Sequence, residues 1–237
     1  MPNPYCARPV GALQYRRKET KGVDKSGISN QTLKRLPIYL NYLKGMSEQP
    51  PNVSATTIAQ ALSLNEVQVR KDLASVSCGG RPKVGYPTGL LIRDIERFLG
   101  YDETNAAVLV GAGNLGRALL SYQGFAQRGL DIVAGFDIRA EAEAPLVGGK
   151  RVLPMEALEG VVRLMKIPIG IITVPSQAAQ QVCDQLVAAG VRAIWNFAPV
   201  ALRVPPHVLV QNESMVSSLA VLSKRLSEKL SEEESGL

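Results

Sequence analysis

Three glycines, Gly111, Gly113 and Gly116, lie between the apolar run 106–110 and a segment with helical periodicity. In such a strand–turn–helix the first glycine permits the tight turn, the second admits a pyrophosphate close to the backbone, and the third allows close helix–strand packing. The helix N-terminus offers unpaired amides and the positive end of its dipole to the phosphates. The alternative is a tight turn without a ligand. The spacing predicts dinucleotide contacts at Gly111, Ala112, Gly113, Asn114, Leu115 and Gly116.

Asp137 closes the next apolar run, 132–136, and lies 21 residues after Gly116. A carboxylate at this place accepts hydrogen bonds from the adenosine ribose of a dinucleotide. It also repels a 2′-phosphate, so the sequence favours NAD(H) over NADP(H), although Arg139 could soften that preference. Ile138 follows Asp137 directly, and we assign it to the same site.

Two further segments end apolar runs of the same kind. One apolar run begins at residue 167 and ends at Thr173-Val174-Pro175. Another begins at residue 193 and ends at Asn196-Phe197. Ligands of parallel α/β sheets bind outside the carboxyl ends of the strands. We therefore expect both segments to contact the dinucleotide, although each alone could be an ordinary strand-to-loop turn.

Residues for hydride-transfer chemistry are harder to find. Such chemistry needs a positioned proton donor or acceptor, usually His, Lys or Tyr. The single histidine, His207, follows two prolines in a predicted surface turn, and no tyrosine is followed four residues later by lysine. The three cysteines are widely spaced and indicate no metal site. We therefore interpret NADH/NAD+ as a regulatory ligand of a protein that is not an enzyme; the alternative is a small NAD-dependent oxidoreductase.

The charge of the chain is unevenly distributed. Residues 1–100 hold 15 Lys or Arg against 7 Asp or Glu, a net charge of +8, whereas residues 101–237 hold 12 against 14, a net charge of −2. A basic segment joined to a nearly neutral one is typical of a polyanion-binding module. The alternative is a basic surface that serves only solubility.

A helix-turn-helix pattern lies within the basic half. Ser54 is a favourable N-cap for a helix over 55–62, and Asn65, with Gln68 three residues later, caps a helix that reaches about residue 75. In such a pair the second helix enters the DNA major groove. The residues expected to contact DNA are Gln68, Arg70 and Lys71, with Glu66 on the same side, whereas Val67, Val69 and Leu73 are left for packing.

A glycine-bounded loop over residues 78–86 follows the second helix and carries Arg81 and Lys83. Its position predicts the wing of a winged helix, with both cations reaching phosphates or the minor groove. A plain hairpin with solvated charges is the alternative. Helical patterns from residue 29 to Gly45, with a kink or late start at Pro37, and over 88–100 complete this domain.

From residue 106 onward, apolar runs alternate with helical patterns, which indicates a parallel sheet covered on both faces. The predicted fold is α/β, with an N-terminal winged helix-turn-helix domain followed by a Rossmann doubly wound sheet and a C-terminal helix. Strands are predicted over 106–110, 132–136, 167–174, 193–197 and about 208–210, and helices over 115–127, 154–165, 176–189 and about 215–230. The predicted boundaries are 1–27 for a flexible basic arm, 28–100 for the winged helix, 101–212 for the NAD(H)-binding domain, and 213–237 for the C-terminal helix and acidic tail.

Composition excludes several classes of protein. With 46% apolar and 20% charged residues, the 237-residue chain is typical of a globular protein. No apolar run approaches the ~20 residues that span a bilayer, and the N-terminus lacks the apolar core of a signal peptide. We therefore expect a cytoplasmic protein without a membrane partner.

Together these motifs resemble the Rex family of redox-sensing transcriptional repressors, which join an N-terminal winged helix to a Rossmann domain. The resemblance covers nearly all of residues 28–230. It is far more selective than the glycine pattern alone. Its most specific segments are Lys34-Arg35-Leu36-Pro37-Ile38-Tyr39, Val69-Arg70-Lys71-Asp72-Leu73, Gly85-Tyr86, the glycine turn, Phe136-Asp137, Thr173-Val174-Pro175 and Asn196-Phe197-Ala198-Pro199.

The resemblance implies a homodimer whose C-terminal helix swaps between subunits. It implies that NAD+ permits binding to double-stranded operator DNA, and that NADH closes the dimer and releases the DNA. It also implies that Tyr122 lies near the nicotinamide and that Arg35 pairs with a carboxylate at the start of the swapped helix. At that place this sequence has Glu213-Ser214. Either Glu213 substitutes from the neighbouring position, or the pair is absent and the switch works differently.

Overall fold

A computed structural model describes residues 28–141 and 146–235 of the chain. The basic arm predicted over residues 1–27 lies outside the described residues. The chain divides into two compact units, the first reaching Asp102 and the second starting at Glu103.

The first unit is built from four helices and a small sheet. Short polar side chains cap the N-termini of three of the helices. Ser29 Oγ accepts from the Thr32 amide at 3.1 Å, Ser54 Oγ from the Thr57 amide at 3.0 Å, and Asn65 Oδ1 from the Gln68 amide at 3.1 Å. The helices are α1 (Asn30–Lys44), α2 (Ala55–Ala61), α3 (Glu66–Val76) and α4 (Thr88–Phe98), and the antiparallel strands are β1 (Asn52–Val53) and β2 (Tyr86–Pro87).

Several details of this unit differ from expectation. Helix α1 starts at Asn30 and continues through Pro37, so of the two expected possibilities, a kink or a late start, the late start is wrong. Strand β1 was not anticipated, because two residues are too few to show a period. The predicted packing role of Val67 is also wrong, since its side chain is 55% exposed, whereas Val69 and Leu73 are fully buried.

The second unit contains a six-stranded, fully parallel sheet. Its strand order is β5-β4-β3-β6-β7-β8, which in order of appearance is the 3-2-1-4-5-6 arrangement of a doubly wound dinucleotide-binding fold. The chain order reverses between β3 and β6, so the turns after these two strands are neighbours. The strands are β3 (Asn105–Val110), β4 (Leu130–Asp137), β5 (Val152–Pro154), β6 (Ile169–Ile172), β7 (Ala193–Asn196) and β8 (Leu209–Asn212).

Alternate residues of β3 supply the two faces of this sheet. Val108 and Val110 belong to a core formed with α6 (Leu158–Met165) and α7 (Ser176–Ala189), whereas Ala107 and Leu109 belong to a second core with α5 (Asn114–Ser121). Both faces of a parallel sheet are thereby covered.

The helix predicted over 115–127 is wrong in its second half. Helix α5 ends at Ser121, Tyr122 is extended, and a 3-10 helix follows over Gln123–Arg128. The helix predicted to start at Pro154 begins later, because Val152–Pro154 is an edge strand that pairs with β4. Proline is tolerated at such an edge, where a backbone donor is not required.

The two longest helices described in the second unit, α7 and α8, differ in burial. Helix α7 has the predicted bounds and buries five residues. Helix α8 (Met215–Ser235) extends beyond the predicted end at about 230, so part of the acidic tail is helical. Its large apolar side chains are 50–71% exposed. Within the described part of the chain, no helix is long and apolar enough to span a membrane.

Candidate functional site

A cavity of about 770 Å³ lies where β3 and β6 end. These are the two strands at which the sheet order reverses, the usual ligand position in an open α/β sheet. Its volume is in the range of small-molecule and cofactor sites. Seven of the predicted ligand contacts line it, namely Gly111, Gly113, Asp137, Ile138, Thr173, Val174 and Pro175.

The three glycines of the turn have different surroundings. Gly111 has a positive φ of 103°, and a Cβ there would lie 2.8 Å from the Thr173 carbonyl. A Cβ on Gly116 would lie 1.9 Å from the Gly111 carbonyl oxygen, whereas a Cβ on Gly113 would meet nothing within 4 Å. Gly111 and Gly116 are therefore needed by the protein itself, and Gly113 leaves open space at the start of α5, where a phosphate would approach.

Hydrogen bonds from Thr173 link the turn after β6 to the glycine turn after β3. Its hydroxyl donates to the Gly111 carbonyl at 2.7 Å, its Oγ1 also lies 3.1 Å from the Val110 carbonyl, and its amide donates to Val110 at 2.9 Å. The glycine turn is thus held in place before any ligand binds.

The Asp137 carboxylate stands at the edge of the cavity and is 14% exposed. One oxygen accepts from the Ala112 amide at 2.8 Å and the other from the Arg139 amide at 2.9 Å. A carboxylate has about four lone-pair sites, so two backbone bonds leave acceptor capacity for ribose hydroxyls. The Arg139 side chain is 84% exposed, and its Nε lies 3.8 Å from Asp137, too far for a hydrogen bond.

Five further residues line the cavity and were missed by sequence reasoning. Four of them, at spacings of three, four and seven, form one face of α7, directly after the Thr-Val-Pro turn. That spacing is the signal that could have found them. They are Ala178, Gln181, Val182 and Gln185 of α7, together with Met155.

The first unit presents α3 and the loop that follows it as a candidate nucleic-acid surface. Arg70 forms an ion pair with Glu66 along the helix. Lys71, Arg81 and Lys83 are exposed and form no ion pair among the residues that the structure describes. Cations that are not neutralised by the protein are available to phosphates.

The loop after α3 is a tight hairpin. Arg81 and Gly85 exchange backbone hydrogen bonds of 2.9 Å, and Lys83 at its tip has a positive φ of 63°. Gly85 has a φ of 88°, and a Cβ there would lie 2.4 Å from the Val53 carbonyl oxygen, so the hairpin rests closely on β1. Arg81 and Lys83 are therefore presented on a short, braced projection.

Asp72 connects the inner side of α3 to α1. It is 2% exposed, and Arg35 binds it through two nitrogens at 2.7 and 3.0 Å. Tyr39 donates to it at 2.8 Å, Thr32 at 3.0 Å and the Gln68 amide group at 2.9 Å. Of the predicted capping pair, Asn65 accepts from the Gln68 amide as expected. The Gln68 side chain does not bond back to Asn65, because it donates to Asp72.

These bonds shift the pKa values of the cluster. Burial by itself raises the pKa of the Asp72 carboxyl, but the hydrogen bonds from Arg35, Tyr39, Gln68 and Thr32 outweigh burial and lower it. Burial, followed by the bond to Asp72, raises the pKa of Tyr39 to about 12. Asp72 is therefore a charged structural group that holds α3 against α1.

Comparison with known proteins gives a consistent result. Residues 102–200 match a family model described as "CoA binding domain", and residues 27–74 match one described as "Putative DNA-binding protein N-terminus". A redox-sensing transcriptional repressor Rex of Treponema denticola is 42% identical over 84% of this chain and 95% of its own length. The chain belongs to the Rex family.

Solved structures of a Rex-family repressor, RSP, have the same fold. RSP in complex with β-NAD+ and operator DNA has a TM-score of 0.79 and 32% identity, over 88% of this chain and 97% of its own. RSP in complex with β-NADH has a TM-score of 0.78 and 31% identity, over 89% and 99%. The α/β fold with its DNA-binding N-terminal unit is therefore confirmed, while exchange of the C-terminal helix stays a prediction.

Not every predicted ligand contact lines the cavity. Asn196 is fully buried; its amide donates to Ala198, Val200 and Asn212, and its oxygen accepts from Ala198. These bonds favour a role in holding the loop after β7. Phe197 and Tyr122 are the ends of a row of aromatic rings with Phe125 and Trp195, whose neighbouring centroids are 4.9–5.5 Å apart.

Tyr122 lines a second, smaller cavity of about 340 Å³, and Ala112, Asn114, Leu115 and Gly116 belong to the turn without lining the larger one. Glu213 and Ser214, at the place where the resemblance implies a carboxylate partner for Arg35, both bond to residues close to them in the second unit. Glu213 accepts from the Trp195 indole at 3.2 Å and from Gln211 at 3.3 Å. Ser214 accepts from the Ser217 amide at 3.1 Å and so begins α8.

Proposed function

We propose that this chain is a DNA-binding transcriptional repressor that senses the cellular NADH/NAD+ ratio. It binds operator DNA when NAD+ or no NADH is bound and releases the DNA when NADH binds. The carrying observation is the cavity at the β3/β6 edge, where a phosphate-accepting glycine turn meets a carboxylate with free acceptor capacity, in a chain that also contains a winged-helix unit. The RSP complexes with β-NADH, and with β-NAD+ and operator DNA, support the same ligands.

In the proposed complex the pyrophosphate lies against Gly113 at the N-terminus of α5, and the adenosine ribose donates to Asp137. Ile138, Val174 and Pro175 provide the apolar walls. Asn114 and Leu115 contribute backbone at the start of α5, and Tyr122 lies toward the nicotinamide. The proposed ligand is NAD(H), because the Asp137 carboxylate opposes a 2′-phosphate.

DNA contact is assigned to α3 and to the loop after it. Arg70 and Lys71 face outward on α3, and Gln68 lies at its edge with its Oε1 still able to accept. Arg81 and Lys83 reach the backbone or the minor groove from the wing. The domain boundaries 28–100 and 101–212 belong to the same proposal.

A second copy of the chain is the proposed partner of α8. Its exposed apolar residues recur at helical spacing along 21 residues, about 31 Å of helix. Such a stripe is stable in water when another surface covers it. A homodimer that exchanges α8 also presents two recognition helices to two half-sites, and we place it in the cytoplasm with the DNA. The stripe consists of Met215, Val216, Leu219, Val221, Leu222, Leu226 and Leu230.

We infer that the bound dinucleotide is not turned over. Among the described residues that line the cavity, the ionisable ones are Asp137 and Arg139, and neither is a proton relay of the usual kind. His207 is exposed in a turn outside this lining. Sustained oxidation of NADH by any carbonyl substrate would contradict this part of the proposal.

Operator affinity tests the proposal. Duplexes selected by the protein from a randomised pool are titrated at one fixed salt concentration without ligand, with NAD+ and with NADH, because phosphate contacts make the affinity depend on salt. We expect NADH to weaken binding by about 5- to 150-fold. Equal affinity in all three conditions would contradict the proposal, and a Gly113→Ala protein serves as the ligand-blind control.

A further inference from the structure

Val67 stands at the centre of the outward face of α3. The inward face consists of four buried residues, namely Val69, Asp72, Leu73 and Val76. At about 100° per residue, Val67 lies within about 10° of the direction opposite to their mean, whereas Lys71 lies about 30° and Arg70 about 70° away from it. A side chain in this position meets whatever α3 docks against.

The groups around Val67 leave its two methyl groups in the open. The Val67 side chain is 55% exposed. On its flanks, Arg70 is paired with Glu66, and the Gln68 amide group donates to Asp72. The middle of the outward face is therefore apolar, with Lys71 beside it.

Single exposed apolar residues are common on protein surfaces, but the position of this one is informative. Val67 is the second residue of α3, and the N-terminal residues of a recognition helix are those that contact base edges. In the major groove, the apolar group that a base pair presents is the C5 methyl group of thymine. Polar base edges left against an apolar side chain would lose their water without gaining a partner.

We propose that Val67 is a specificity-determining residue that recognises a 5-methylpyrimidine, a thymine in each operator half-site, through contact between its methyl groups and the C5 methyl group. This inference rests on the proposed function, because it requires α3 to lie in the major groove. Val67 thus adds an apolar contact with a methyl group to the polar DNA contacts assigned to its neighbours. One buried methyl group corresponds to about a fourfold change in affinity.

The test removes the methyl group from the DNA and from the protein in turn. Each thymine of a duplex selected by the wild-type protein is replaced singly by deoxyuridine, which lacks only the C5 methyl group, and the dissociation constant is measured at fixed salt. The same series is repeated with Val67→Ala and with Leu164→Ala, a control that removes a still more exposed apolar side chain from α6 in the other unit. Because both side chains are exposed, neither substitution endangers the fold.

We expect one thymine per half-site at which deoxyuridine weakens wild-type and Leu164→Ala binding about fourfold, while Val67→Ala changes by less than about 1.5-fold. At that position 5-methylcytosine should be bound better than cytosine by the wild type and by Leu164→Ala, but not by Val67→Ala. Insensitivity of the wild type at every thymine, or full sensitivity of Val67→Ala, would overturn the inference. Failure to select any duplex would overturn the proposed function itself, which is a different and recognisable result.

Discussion

Asp72 in the first unit and Asp137 in the second are both carboxylates held by hydrogen bonds, but their surroundings differ. Asp72 is 2% exposed and accepts five hydrogen bonds from four side chains, which uses all of its acceptor capacity. Asp137 is 14% exposed, accepts from two backbone amides and faces a cavity. The first carboxylate is satisfied within the protein, and the second has capacity for a ligand.

The first unit is therefore held rigidly at its carboxylate, whereas the second unit can respond to a ligand at its own. Asp72 fixes the inner side of α3 to α1, so the outward residues are held in a constant arrangement. Asp137 is the last residue of β4, and its two backbone bonds leave acceptor capacity for the hydroxyl groups of the proposed ligand. Removing Asp72 should therefore damage the fold, and removing Asp137 should damage ligand binding.

Asp72→Asn has the largest expected effect. It leaves the Arg35 charge without its partner and places amide hydrogens against donors, so the first unit should lose about 3–5 kcal/mol of unfolding free energy. Urea unfolding followed by circular dichroism measures the whole chain, while fluorescence of the single tryptophan, Trp195, reports on the second unit. The matched control, Glu159→Gln in an exposed ion pair, should lose no more than about 0.5 kcal/mol. A loss below about 1 kcal/mol for Asp72→Asn would place Asp72 among ordinary surface charges.

Gly113→Ala and Gly116→Ala separate ligand binding from folding at the glycine turn between β3 and α5. Alanine fits at position 113, where φ is −70° and a Cβ meets nothing within 4 Å, so stability should be unchanged. NADH affinity should fall about 100-fold, because the methyl group occupies the path of the pyrophosphate. Gly116→Ala should lose stability as well, since its Cβ would strike the Gly111 carbonyl. Calorimetric titration and thermal unfolding measure both; wild-type NADH affinity in Gly113→Ala would show that the phosphates lie elsewhere.

Asp137→Ala should weaken NADH binding about tenfold through loss of the ribose hydrogen bonds. NADPH should lose less or gain, because the repulsion of its 2′-phosphate disappears and the exposed Arg139 lies nearby. The ratio of the NADH and NADPH dissociation constants is the readout, with Glu159→Gln again as control. An unchanged ratio would mean that Asp137 does not face the 2′ position.

Acid pH should reduce the contribution of Asp72 by a smaller amount. Because its folded-state pKa lies below the ordinary 3.8, the unfolded chain binds the proton first as the pH falls. The stability advantage of wild type over Asp72→Asn should therefore be complete near neutral pH and shrink as the pH falls below about 5, because the unfolded chain is protonated before the folded one. Urea midpoints of both proteins across this range measure it; an advantage that grows toward acid pH would contradict a charged Asp72.

The parts of the site that could be predicted from sequence are those fixed by local geometry. The glycine turn and Asp137 keep a fixed spacing because one strand, one turn and one helix position them. Asn196 also lies at the end of an apolar run. Its amide group, however, donates to Val200 in the loop after β7 and to Asn212 on β8. Contacts that come from elsewhere in the chain leave no local pattern.

Contacts from elsewhere in the chain also explain why parts of the fold were predicted wrongly. Val67 is apolar and was assigned to packing, but its direction on α3 is set by which face α1 and α4 cover. Strand β5 has three residues, too few for a period, and depends on pairing with β4. By contrast, α7 was predicted with its observed bounds, because its buried residues recur at helical spacing and Gly190 ends it.

If the two units are energetically coupled, operator DNA must change the affinity for NADH, and calorimetric titration of NADH with and without a bound duplex measures this change. Coupling between two binding sites is reciprocal, so DNA must affect NADH by the same factor by which NADH affects DNA. At fixed salt, a saturating operator duplex should weaken NADH binding by about 5- to 150-fold and change NAD+ binding far less. An NADH dissociation constant that is the same with and without bound duplex would contradict the account.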